Sequence, residues 1–141
     1  MFLHFIEDRE HKEAFLELAH RVATSDGFVN RNEWNYIRSW KLELGMEDWE
    51  PDAGKRERTL AEMIGCVKEE QVKNIFFAEV LLLIFADGTF NDEEQRIAGE
   101  MKKLFGYSDD IFEAFMGWVA RMGQLKVEGM QLILDPSSAR R

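Results

Sequence analysis

Asp26-Gly27-Phe28-Val29-Asn30-Arg31-Asn32-Glu33 and Asp87-Gly88-Thr89-Phe90-Asn91-Asp92-Glu93-Glu94 are two versions of one eight-residue loop. They agree at Asp, Gly, Asn and Glu, and lie 61 positions apart. Asp-Gly is a turn and helix-stop signal, because glycine reaches backbone conformations that other residues avoid. Asn-x-x-Glu is a capping box, in which each side chain satisfies a backbone N–H at the start of a helix. Each stretch therefore reads as the end of one helix, a loop and the start of the next.

The flanks keep the same offset. Phe15 corresponds to Phe76, Val22 to Leu83, Trp40 to Met101, Leu44 to Phe105 and Gly45 to Gly106. Apolar residues recur at three- and four-residue spacing, and no stretch alternates with period two. The expected helices run over about 8–25, from Asn30 to Gly45, over 59–66, from about 68 to Asp87, and from Asn91 to Gly106. A last helix starts around Ser108-Asp109-Asp110, with Asp110 and Glu113 at capping-box spacing, and fades near Leu134. In the first helix Phe15, Leu18, Ala19 and Val22 form the inward face, with Glu13, Glu17, His20 and Thr24 opposite. The fold class is thus all-α: two pseudo-symmetric helix–loop–helix units, about 14–45 and 75–106, packed with additional helices into a single bundle. Residues 1–135 form one domain and 136–141 a flexible tail. Trp40, Leu44, Leu83, Met101 and Phe105 lie on the inward stripes.

The chain has 141 residues, 45% of them apolar and 32% charged, enough for one core and a solvated surface. A net charge of −9 excludes a duplex-binding surface, which needs a basic stripe to displace counterions. Cys66 is the sole cysteine, so there is no disulfide framework or thiolate cage, and a cytoplasmic setting is expected. The opening Met1-Phe2-Leu3-His4-Phe5-Ile6 has no basic leader and runs into Glu7-Asp8, unlike a signal peptide. The most apolar run, 75–86, is interrupted by Glu79 and is well short of the ~20 residues that span a bilayer. No membrane span is expected, though peripheral association is compatible with the composition.

Two Asp-Gly-x-x-x-x-x-Glu units about 60 residues apart resemble the TerB-like family, named for tellurite-resistance operons. The likeness covers roughly residues 14–106 and is closest over Phe85-Ala86-Asp87-Gly88-Thr89-Phe90-Asn91-Asp92-Glu93-Glu94. The first copy departs at Ser25, where Ala is favoured, and both copies carry Asn where Ser or Thr is common. The resemblance implies an all-helical, non-enzymatic module of stress-response and defence systems, often near membrane complexes, with metal binding through acidic residues.

Asp26, Glu33, Asp87 and Glu94 are the candidate metal ligands. Asp26 and Asp87 extend the apolar stripes of the helices they end, and Glu33 and Glu94 head the stripes of those they start. All four are expected to point inward. Asp26 and Asp87 also sit at helix C-termini, where the macrodipole disfavours a negative charge. All-oxygen ligands would select Ca, Mg or Mn over zinc. Capping and turn formation account for the same residues without a ligand, and both readings stand at this stage. An EF-hand is excluded, since its sixth and twelfth positions would be Asp92 and Ala98 in one copy and Arg31 and Ile37 in the other.

Glu17-Leu18-Ala19-His20 is half of a di-iron motif without the second half, and its ends lie on the polar face. Glu79, whose counterpart is Leu18, is expected to pair with an arginine in the core or to face a groove. No nucleophile–base pair or phosphate loop stands out, so the chain is read as non-enzymatic. Two functions follow. One is a regulatory module holding a divalent cation, a partner protein or both at the Asp-Gly loops. The other is a pure protein–protein interaction domain, like those in co-chaperones, with structural loops. No other cofactor is implied, and oligomeric state is left open.

Overall fold

The computed structural model describes residues 1–24, 31–51, 58–85 and 91–137. Among these the chain is all-helical. A 3-10 turn at Leu3–Phe5 precedes α1 (Arg9–Ala23), α2 (Arg31–Glu43), α3 (Leu60–Ile64), α4 (Glu70–Ile84), α5 (Asp92–Phe105) and α6 (Asp109–Leu134). No helix among the described residues is long and apolar enough to cross a membrane.

The ends of the helices follow from their own residues. Asp8 caps α1 by accepting from the N–H of Glu10, and complete capping boxes start α3 at Thr59/Glu62 and α5 at Asn91/Glu94. Helices α2 and α5 stop alike. Gly45 and Gly106 take φ of 69° and 75°, a left-handed conformation natural only to glycine. The N–H of Met46 donates to Lys41 O and that of Gly45 to Leu42 O; those of Tyr107 and Gly106 donate to Lys102 O and Lys103 O. This is the Schellman pattern, and each bond recurs 61 positions on. Helices α1 and α4 also end alike, Thr24 and Phe85 having φ/ψ of −97°/7° and −94°/11°.

Helices α1 and α4 form the centre. The first packs on α2, α3 and α4, and the second also packs on α5 and α6. Phe15 meets Trp40 and Phe76 edge-on, with ring centroids 5.0 and 5.3 Å apart. Trp40, Leu44, Leu83, Met101 and Phe105 are all buried, as their stripes require.

Two expectations need correction. Helix α1 is buried beyond its single stripe: Leu16, Ala23 and His11 are also inside, and Glu17, His20 and Thr24 are half-buried. The reason is that three helices surround it. Helix α6 is capped by Ser108, which accepts from the N–H of Ile111, rather than by Asp110. Its apolar residues are also mostly not core. Phe112 and Phe115 pack on Phe77, but Val119 is its only buried residue.

Candidate functional site

Asp26 and Asp87 lie outside the described residues, as does Asn30. Their expected inward placement and their approach to one another therefore have no structural description. Their partners in the loop pattern are placed. Glu33, in the first turn of α2, and Glu94, in the first turn of α5, are 5% and 4% exposed. Burial to the same depth is what the 61-residue repeat implies.

Glu94 works as a cap. Its Oε1 accepts from the N–H of Asn91 at 3.1 Å, while Asn91 Oδ1 accepts from the N–H of Glu94 at 2.8 Å. A carboxylate at a helix N-terminus also interacts favourably with the macrodipole. Among the described residues, no three metal-ligating side chains converge. A cation site built from this pattern would need Asp26 and Asp87 to complete it.

The structure assigns Glu79 differently from either expectation. It is fully buried, and among the described residues its partners are the chain's first residues and an indole rather than an arginine. Oε1 accepts from the N–H of Phe2 at 2.7 Å and lies 3.2 Å from the N-terminal ammonium of Met1; Oε2 accepts from Trp40 Nε1 at 3.0 Å. The same ammonium donates to Glu43 Oε1 at 2.9 Å. Burial opposes its charge, but the two carboxylates outweigh burial and raise its pKa. Glu79 therefore fastens the first residues of the chain to α2 and α4, and each of its two carboxylate oxygens meets a donor. Nothing local in the sequence marks this cluster, since its members are far apart along the chain.

The remaining titratable candidates are also structural. Glu17 takes a bidentate ion pair from Arg58, Nε to Oε1 at 2.9 Å and Nη2 to Oε2 at 2.5 Å. His11 is buried with Nε2 3.4 Å from Cys66 O. Burial lowers the pKa of His20 against the pull of Glu50, and burial, with Glu10 nearby, raises that of the Cys66 thiol. A thiol shifted that way is a poor nucleophile.

One concave surface was not anticipated from the sequence. Arg31, Trp34, Asn35 and Arg38, on one face of α2 at the spacing i, i+3, i+4, i+7, line an open groove of about 600 Å³. Trp34 is exposed, its ring standing edge-on to His20 at 6.5 Å, and Arg38 Nη2 donates to Asn35 Oδ1 at 3.2 Å. The groove places an exposed indole alongside two arginines, a flat apolar contact accompanied by cationic donors. The signal was present as helical spacing, but exposure of the tryptophan depends on what packs nearby. The chain matches no protein-family model, no curated protein and no solved structure.

Proposed function

We propose that this chain is a non-catalytic, TerB-like regulatory module of a stress-response system that works by binding another protein across the exposed face of α2. Two copies of one helix–loop–helix unit, related by a pseudo-twofold axis between α1 and α4, build it. Supporting that symmetry, Phe15 and Phe76, equivalent at the 61-residue offset, touch each other, as residues near a twofold axis do. The observation that carries the binding reading is the Arg31–Trp34–Asn35–Arg38 groove. On a chain of net charge −9, a local pair of arginines around an exposed indole fits an acidic segment bearing an aromatic or aliphatic anchor.

A peptide rich in Asp and Glu with one central aromatic residue tests this by NMR titration of the labelled protein. Shifts should cluster on 31–38, and Arg31→Glu/Arg38→Glu should weaken binding by at least about tenfold, the scale of one lost charged contact. Shifts elsewhere, or none at millimolar peptide, would reject the groove as the binding face.

A cation at Asp26, Glu33, Asp87 and Glu94 is the second reading, favoured by the equal burial of Glu33 and Glu94 beside the two Asp-Gly loops. Calcium, magnesium or manganese at a hundredfold over its dissociation constant should then stabilise the protein by about 2.7 kcal/mol. Asp87→Asn should abolish that gain. An unchanged melting point with all three ions at millimolar concentration rejects it.

A further inference from the structure

The last four turns of α6 are largely uncovered by the bundle. At 1.5 Å per residue the 26-residue helix is about 39 Å long, and its contacts with α4 through Phe112 and Phe115 belong to its first half. Past Val119 no residue of α6 is buried. Leu125, Val127, Met130, Leu132, Ile133 and Leu134 are between 45% and 83% exposed. They lie on more than one side of the helix, and Leu125 and Leu132 share one side of it.

We infer that this half-helix is a homodimerisation surface, on which the α6 of a second copy of the chain lies. Two observations select a second copy as the occupant. The first is continuity: Phe115, Trp118, Met122, Leu125, Gly129 and Leu132 follow one another at alternating three- and four-residue steps. The stripe by which α6 docks on its own body thus runs on past the body, at the spacing that pairs one helix with another. A Cβ at Gly129 would meet nothing within 4 Å, so the backbone of another helix can approach closely there.

The second is charge. Two copies of a chain of net charge −9 repel each other over most of their surface. From Trp118 to Leu134 the only charged residues are Arg121, Lys126 and Glu128, and Lys126 donates to Tyr36 Oη at 2.8 Å on the same chain. This is where two copies can meet without that repulsion. A bilayer surface fits less well. Helices that lie in membranes carry a basic polar face, whereas here Val127, Met130 and Leu134 occupy the side opposite the stripe.

Sedimentation velocity on the full chain tests the inference. A dimer should form at micromolar concentration. Leu125→Glu/Leu132→Glu should raise its dissociation constant by at least about a hundredfold, the loss expected when a central apolar pair is replaced by charge. Both positions are exposed in the single chain, so the helical circular dichroism should be retained; Leu132→Glu alone gives the same answer if the double variant is impaired. Leu42→Glu, at an exposed leucine on α2, should leave the dimer intact. A wild-type monomer at several hundred micromolar overturns the inference, as does a dimer indifferent to the α6 variants. So does a monomer that instead co-sediments with vesicles of phosphatidylcholine and phosphatidylglycerol.

Discussion

Replacing Glu79 by leucine matches the second unit to the first, where Leu18 holds the equivalent position and is itself fully buried. On hydrophobicity alone the change should stabilise the protein. The structure says the opposite, because the carboxylate is the acceptor for the N–H of Phe2 and for Trp40 Nε1, at 2.7 and 3.0 Å. Leucine would leave both donors without that acceptor, the indole one in a buried site, at about 1–3 kcal/mol each. It would also strip one counter-charge from the ammonium of Met1, which still has Glu43. The expected loss is about 3–5 kcal/mol, the range for breaking a buried charged contact from one side. Trp40→Phe removes only the indole donor and some volume, at about 2–4 kcal/mol. In the double variant the hydrogen bond is lost only once, so the two effects should fall short of additivity by about 1.5–3 kcal/mol. Urea titrations followed by far-ultraviolet circular dichroism measure all four corners of the cycle, independently of the altered tryptophan fluorescence. A coupling below about 0.5 kcal/mol, or a Glu79→Leu protein more stable than wild type, would refute the reasoning.

Gly45→Ala and Gly106→Ala should each cost about 1 kcal/mol in chemical denaturation, because φ near +70° strains a Cβ although no neighbour crowds it. A neutral result at both would mean that the left-handed helix ends are not required. His20 should titrate below its ordinary 6.5, because burial disfavours the imidazolium. The unfolded chain then binds the proton first, so the contribution is whole above 6.5 and is lost as pH falls through the folded value. NMR titration of the ring protons reads the pKa directly. His20→Gln should remove part of the stability loss between neutral and mildly acidic pH, and a His20 pKa above 6.5 would reverse the sign.

Helix starts and stops were legible in the sequence because they are decided within a few residues. Asn91 and Glu94 can satisfy each other's N–H groups only at that spacing, and Gly45 and Gly106 end their helices by their own backbone freedom. The apolar stripes through Trp40, Leu44, Leu83, Met101 and Phe105 were legible for a related reason: helical periodicity states which face must leave water. Of the four candidate ligands, the burial of Glu33 and Glu94 follows from their place at the head of those stripes.

Tertiary structure alone decided what depends on partners distant in the chain. Glu79 finds its donors 77 and 39 positions away, and no local pattern encodes a meeting of Phe2, Trp40 and a carboxylate. The stripe on α6 is as apolar after Val119 as before it, yet only its first half packs against the core. The exposed indole of Trp34 and the buried one of Trp40 sit on a single helix, and they differ only in what the rest of the chain brings against them. Periodicity tells a residue which way to face. What it meets there is set by the packing of helices remote from it in sequence.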